Sequence, residues 1–136
     1  MANDFTYLGN PNLKRANVQQ EWTKKQVQEY ARCMDDPLYF IQTYVRIISL
    51  DEGLIPFKMY PFQKEMVGTF HKNRFTICKL PRQSGKSTTM ISYLLHYSLF
   101  NPSSNIAILA NKAATARDLL GRLQLAYEHL PKWLQQ

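Results

Sequence analysis

The segment around KLPRQSGKSTT, residues 79–89, constrains the fold of this chain more than any other. The residues before it, RFTICKL at 74–80, are β-branched and apolar and predict a strand. The residues after it, KSTTMISYLLHYSLF at 86–100, predict a helix that stops before Asn101 and Pro102. A strand, a loop ending in Gly-Lys-Ser and a helix are the three parts of a phosphate-binding loop, although Leu80 stands where the full pattern has glycine.

A second strand and a second helix follow this unit. NIAILA at 105–110 is short and apolar enough for a strand buried on both faces, and residues 114–130 predict an amphipathic helix before Pro131. The alternation of strands and helices predicts an α/β fold, a parallel sheet with helices on both faces as in P-loop NTPases. Because two strands are too few for such a sheet, we expect residues 74–136 to be the first half of a P-loop ATPase core.

The chain before the first of these strands divides into two parts. Residues 1–22 are polar, with turn-forming residues near Gly9, and predict a loosely attached arm. Residues 23–73 predict a helical lid or subdomain that includes a short hairpin around Gly53. Its three helix starts are a capping box from Thr23 to Gln26, Asp36 followed by Pro37, and Pro61.

Composition narrows the choice of partners and compartments. The chain has 17 Lys and Arg against 10 Asp and Glu, a formal net charge of +7, which fits either a polyanionic partner or a solvated basic surface. Cys33 and Cys78 show no metal-ligand spacing and predict reduced, small hydrophobic side chains. No apolar run reaches the ~20 residues of a membrane span, and the first ten residues do not have the pattern of a signal peptide.

The residues of the loop suit a nucleoside triphosphate with its metal. Gly85 allows close approach of the backbone, and the N-terminus of the following helix favours phosphate. Lys86 is placed to reach the β- and γ-phosphates, Ser87 to offer its hydroxyl to Mg²⁺, and Thr88 to contact the α-phosphate. The alternative is a chance Gly-Lys-Ser tripeptide, which the flanking strand and helix disfavour.

Further candidate residues lie inside and before the loop. Gln83 and Ser84 complete the phosphate cradle, and Arg82 is a candidate arginine finger acting in cis, or otherwise a solvent-facing charge. Gln63 follows Tyr60 and Phe62, and its amide can pair with the adenine edge while an aromatic ring packs beside the base. The alternative for Gln63 is a polar residue facing water in the first turn of a helix.

Two other groups of residues admit both a functional and a structural interpretation. Lys112 and Arg117 follow the second strand and would meet nucleic-acid phosphates there, or else form a solvated helix face. Tyr39, Phe40 and Tyr44 are interpreted as core residues rather than as a platform for stacking bases.

Taken together, these segments resemble a known family. The run from WTKKQVQEYARCMDDPLYFIQTY through CKLPRQSGKSTT to IAILANKAATARDLLGRLQLAYEHLPKWLQ is similar to the N-terminal part of the large terminase subunit of tailed bacteriophages of the myovirus type. The resemblance extends from about Asn10 to the end of the chain. The form PRQSGKST, with an arginine inside the loop and no leading glycine, is similar to the Walker A motif of terminases and is more specific than a general phosphate loop.

The resemblance implies a function beyond what the residues indicate. Large terminases are ATP-driven motors that package viral DNA, with a separate nuclease domain. By this resemblance Lys86 and Ser87 bind phosphate and Mg²⁺, Arg82 senses or triggers hydrolysis, and Gln63 contacts adenine. It also implies double-stranded DNA, the portal protein and the small terminase subunit as partners, a homo-oligomeric motor, and a location in the host cytoplasm at the portal of the prohead.

The chain departs from the family pattern towards its C-terminus. No apolar strand ending in the Walker B aspartate and catalytic glutamate follows, because Glu128 lies in a predicted helix. The coupling motif and nuclease domain have no counterpart in these residues either, so we expect this stretch alone to be inactive as an ATPase. The alternatives to a packaging motor are a non-catalytic module that binds nucleotide or DNA, and part of a superfamily 2 helicase-like translocase.

Overall fold

The protein is a mixed α/β chain in which helices predominate. A computed structural model describes residues 6–135; the first five residues of the expected arm and Gln136 lie outside that range. The helices are α1 (Lys24–Asp35), α2 (Pro37–Tyr44), α3 (Pro61–Lys72), α4 (Lys86–Phe100) and α5 (Ala113–Glu128). The strands are β1 (Thr6–Tyr7), β2 (Asn10–Lys14), β3 (Arg46–Ser49) and β4 (Gly53–Pro56).

The helix starts follow the local capping signals. Thr23 caps α1 in a reciprocal box: its N–H donates to Gln26 Oε1 at 2.9 Å, and its Oγ1 accepts from Gln26 N–H at 3.3 Å. Asp36 caps α2, where its Oδ1 accepts from Tyr39 N–H at 3.0 Å and Pro37 takes the first helical position. These predicted caps are therefore confirmed.

The hairpin predicted around Gly53 is also confirmed. Strands β3 and β4 pair antiparallel, with Ile47 opposite Ile55 and Ile48 opposite Leu54. Gly53 begins β4 with φ of 72°, a left-handed conformation that glycine adopts without a steric penalty. One side of the hairpin lies towards α3 and the loop before α4, and a cavity separates them.

The core lies where α2 packs against α1, α3 and α4. Phe40 and Leu95 are fully buried, and the Phe40 ring meets Phe100 edge-on with 5.6 Å between ring centroids. Cys33 is buried in the same cluster, where burial raises the pKa of its thiol to about 12. Cys78 is exposed instead, so the expected role as a small buried side chain holds for Cys33 alone.

The tyrosines of α2 join the helices α1 and α2. The phenols of Tyr39 and Tyr44 donate to Glu29 Oε1 at 2.5 and 2.9 Å. The hydrogen bond from Tyr39 lowers the pKa of the Glu29 carboxyl, and burial has the opposite effect. The hydrogen bond from Tyr44 and the positive charge of Arg32 also lower this pKa. Phe40 is buried and both phenols have partners, which agrees with the interpretation of these residues as packing residues.

The strands expected over 74–80 and 105–110 are not formed within the described residues. The described residues contain two pairs of strands, β1 with β2 and β3 with β4, which are both antiparallel, and no parallel sheet. Phe75 and Ile77 are 83% and 98% exposed, and Leu109 is 87% exposed. The apolar pattern of these segments favours a strand, but a strand also needs a neighbour to pair with, and residues 6–135 place none beside them.

Residues 6–14 form a hairpin that the sequence did not suggest. Strands β1 and β2 pair antiparallel with an irregular register, in which Thr6 is opposite Lys14 and Tyr7 is opposite Asn10. Leu8 and Gly9 carry positive φ values in the turn between them. No helix in the described part of the chain is both long and apolar enough to cross a membrane.

Candidate nucleotide-binding site

The loop between residue 80 and α4 has the backbone form of an anion cradle. Gly85 is the N-cap of α4 with φ of 74°, and Gln83 has φ of 60°. The Gly85 carbonyl accepts from both the N–H and the Oγ1 of Thr89, each at 3.0 Å, which secures the start of the helix. Positive φ at two positions out of three turns successive backbone N–H groups toward one side, as in the concavities that bind anions.

The partial positive charge at the N-terminus of α4 is not neutralised by a capping or acidic side chain. The first N–H groups of a helix have no partner within it, and α4 has neither an N-cap side-chain bond nor an acidic residue in its first turn. Lys86, Ser87 and Thr88 occupy this turn and are partly buried. The turn therefore offers N–H groups, two hydroxyls and an ammonium to an anion at the loop.

Two charged side chains of the loop differ in their surroundings. Lys86 folds over the loop, where its Nζ donates to the Pro81 carbonyl at 3.1 Å. Arg82 is exposed at the outer turn of the loop. The ammonium thus lies against the loop, whereas the Arg82 side chain is exposed to solvent.

Gln63 lies beneath the loop rather than in solvent. Its side chain is in the first turn of α3 and the residue is 2% exposed. Its Oε1 accepts from the Tyr60 N–H at 2.9 Å, and its Nε2 donates to the Ser84 carbonyl at 3.4 Å. The alternative that Gln63 faces water is therefore wrong, and its amide contacts the loop directly.

A cavity of about 770 Å³ opens beside the loop. Its walls come from the β3–β4 hairpin, the start of α3 and the loop itself. The Tyr60 and Phe62 rings, which both line it, are stacked at 5.9 Å with planes 7° apart. The hairpin contributes Ile47 and Ile55 to the opposite wall. Ile47 and Ile55 are partly buried, whereas Ile48 and Leu54 on the other face of the hairpin are exposed.

The polar residues of the cavity suit phosphate better than a preformed metal centre. Ser84, Gly85 and Thr88 line it, and Ser84 Oγ is buried without a hydrogen-bond partner among the described residues. Of the carboxylates in residues 6–135, Glu52 alone lines the cavity. Nowhere in that range do three or more His, Cys, Asp or Glu side chains group as metal ligands. The hydroxyl of Ser87 remains the candidate Mg²⁺ ligand that the loop pattern suggests.

The basic residues after position 110 lie apart from this cavity. Lys112 is the exposed N-cap of α5, and Arg117 Nε donates to the Ala113 carbonyl at 3.4 Å. One turn later Arg122 pairs with Asp118 at 3.0 Å on the exposed surface. Neither Lys112 nor Arg117 lines the cavity. Arg82, Lys86 and Ser87 do not line it either, but they belong to the loop and the helix turn that border it.

No protein-family model matches this chain.

Proposed function

We propose that residues 81–88 bind the phosphates of ATP with Mg²⁺, and that the chain belongs to the ATPase of a DNA-packaging motor of the terminase type. The observation that carries the nucleotide part is the conformation of Gly85. Its left-handed backbone starts α4 directly at Lys86, so that Ser84, Gly85 and the first turn of the helix at Thr88 border the cavity. The Lys86 ammonium lies against the same loop, at the Pro81 carbonyl.

The residues present fit the proposed ligand. Lys86 is a compact cation bonded to the loop at the Pro81 carbonyl, and the first turn of α4 carries no side-chain cap and no acidic residue. Ser84 Oγ, buried and unpaired in the structure, would gain a partner from a phosphate oxygen. Ser87 would offer its hydroxyl to a Mg²⁺ ion bound with the triphosphate, and that ion would neutralise part of the phosphate charge.

Arg82 and the aromatic pair extend the proposal to the rest of the nucleotide. In this proposal Arg82, an exposed residue of the loop, stabilises charge on the γ-phosphate, and Thr88, which lines the cavity, contacts the α-phosphate. Tyr60 and Phe62 present a stacked, partly exposed aromatic surface at the cavity, where a base can pack.

The motor part of the proposal rests on the resemblance described above and on charge. The net charge of +7 favours a polyanion, and Lys112 and Arg117 offer cations outside the nucleotide cavity. Double-stranded DNA, the portal protein and the small terminase subunit are the proposed partners of a homo-oligomeric motor at the prohead in the host cytoplasm. A parallel P-loop sheet that includes residues 74–80 and 105–110 belongs to this same proposal.

A non-catalytic nucleotide-binding module is the second candidate, favoured by the carboxylates. A P-loop ATPase orients the attacking water and the metal with acidic side chains. Within the described residues, the cavity is lined by Glu52 alone among acidic side chains, and Glu52 lies in the exposed turn of the hairpin. Binding without turnover is therefore what we expect of residues 1–136 by themselves.

The test compares Lys86→Ala with a matched lysine variant. Calorimetric titration of the chain with Mg-ATP should show binding that Lys86→Ala weakens by tenfold or more, about 1.4 kcal/mol, because the loop loses its ammonium. Lys64→Ala, on the exposed face of α3, should bind as the wild type does. Equal affinity in the wild type and Lys86→Ala would contradict the nucleotide site. Phosphate release that Lys86→Ala abolishes would favour the ATPase over the binding module.

A further inference from the structure

We infer that Gln63 is a positioning residue that holds the phosphate loop in its binding conformation, and that it acts independently of the base. The inference rests on the proposed triphosphate site for its ligand. It differs from the expectation that Gln63 reads the adenine edge, and the two roles predict opposite results for ligands that lack a base.

The orientation of the Gln63 amide is determined by its partners. The Tyr60 N–H is a donor, so the amide group 2.9 Å from it is the oxygen. The amino group then points to the Ser84 carbonyl, 3.4 Å away, which is a long but correctly paired contact. One side chain thus joins the first turn of α3 to the loop residue that precedes Gly85.

Close packing under the loop supports the same role. A Cβ placed on Gly85 would lie 2.6 Å from Gln63 Nε2, so the amide fills the space directly beneath that residue. Gln63 is 2% exposed, whereas Tyr60 and Phe62 beside it are 66% and 37% exposed. All three residues line the cavity, but both polar groups of the Gln63 amide are directed at Tyr60 and Ser84, whereas the two rings are open to a ligand.

Recognition of adenine would require both the oxygen and the amino group of the Gln63 amide. An amide side chain recognises adenine through its oxygen on N6 and its amino group on N7. Here the oxygen is bonded to Tyr60 and the amino group is directed at Ser84. A base in the cavity would meet Tyr60 and Phe62, and Gln63 would influence the ligand only through the position of the loop.

The test measures three ligands against two Gln63 variants. Mg-ATP, Mg-GTP and magnesium tripolyphosphate are titrated into the wild type, Gln63→Ala and Gln63→Met. Methionine keeps the length of the side chain, bonds to neither Tyr60 nor Ser84, and adds no charge beneath the phosphates. We expect both variants to lose affinity for all three ligands by a common factor of about tenfold. Loss of ATP affinity with tripolyphosphate unchanged would overturn the inference and restore the adenine role.

Phe62→Ala is the matched control for the base. It removes part of the aromatic surface without touching the Gln63 amide, so it should weaken ATP and GTP and leave tripolyphosphate unchanged. Urea unfolding of each variant separates a loss of binding from a loss of folded protein. A common loss of affinity in Gln63→Met while the protein remains folded identifies positioning of the loop.

A measurement without ligand separates this inference from the proposed function. Trypsin cleaves after Arg82 in the loop, and the rate of that cut reports how firmly the loop is held. We expect Gln63→Ala to raise the rate several-fold over the wild type, and Lys64→Ala to leave it unchanged. An unchanged rate in Gln63→Ala overturns the inference. Failure of the wild type to bind any of the three ligands would instead remove the nucleotide site, while the trypsin result still decides whether Gln63 holds the loop.

Discussion

At the scale of single residues, replacement by alanine should have opposite effects on stability at Gly85 and at Gly121. Gly85 has φ of 74° and lies against the Gln63 amide, whereas Gly121 is inside α5 with nothing within 4 Å of an added Cβ. We expect Gly85→Ala to lower the free energy of unfolding by about 1–2 kcal/mol, because alanine is strained at positive φ. Gly121→Ala should raise it by about 0.5–1 kcal/mol through helix propensity. Urea denaturation of the two variants checks both signs.

A double variant tests the cause of the Gly85 effect. If the contact with Gln63 contributes, Gly85→Ala should cost less in a Gln63→Ala background, because the amide that the new methyl group meets is gone. Strictly additive effects would assign the whole cost to the backbone. A stabilised Gly85→Ala would contradict the left-handed conformation itself.

The residues of the loop were predictable and their partners were not. Gly85 and Lys86 stand out because the phosphate-loop pattern is local in sequence. The contact of Gln63 with Ser84 spans 21 positions, so no local pattern indicates it. A glutamine in a first helical turn usually faces water, and its burial follows from the packing of α3 under the loop, which is a tertiary effect.

At the scale of elements, caps and breakers predicted the helices well. Thr23, Asp36 and Pro37 mark helix starts by hydrogen bonds and backbone angles that need only three or four neighbouring residues. The segments 74–80 and 105–110, which were predicted as strands, are unpaired in residues 6–135, because apolar composition measures a tendency to be buried and not the presence of a pairing partner.

His96 is an element-scale contact whose effect depends on pH. Its Nε2 donates to the Cys33 carbonyl at 2.8 Å, which joins α4 to the last turn of α1. Burial lowers the pKa of His96 and His71 on α3 adds to this, while the Cys33 and Met34 carbonyls and Asp36 at the start of α2 act in the opposite direction. The folded protein therefore binds this proton less readily than the unfolded chain does.

The sign of the pH effect follows from that difference. The contribution of His96 to stability is complete above its ordinary pKa of 6.5 and is lost as the pH falls below that value, by at most about 1.4 kcal/mol per pH unit. Urea unfolding between pH 5 and 7.5 should show this slope in the wild type. His96→Gln keeps a neutral donor and should flatten the slope, whereas His129→Gln should not. Equal slopes in the wild type and His96→Gln would contradict the prediction.

At the scale of the whole molecule, the two ends of the described chain meet. Gln135 is fully buried, its Oε1 accepts from the Lys14 N–H at 2.9 Å, and its Nε2 donates to the Asn12 carbonyl at 2.8 Å. The same amino group lies 3.1 Å from the Leu130 carbonyl. One amide therefore joins β2 to the turn after α5, across 121 positions of the sequence. Nothing in the local sequence indicates this contact, since a polar residue near a chain end is ordinarily exposed.

Removing that amide should weaken the whole fold and release β2 first. Gln135→Ala leaves the Lys14 N–H and the Asn12 carbonyl without their partner, and an unsatisfied buried group costs about 1–3 kcal/mol. We expect the free energy of unfolding to fall by at least that amount and the Lys14 amide to exchange with solvent faster. Gln42→Ala, on the exposed side of α2, is the matched control and should leave both quantities close to those of the wild type. If Gln135→Ala unfolds within about 0.5 kcal/mol of the wild type and Lys14 exchanges no faster, β2 is held by its other contacts and the amide is not what joins the two ends.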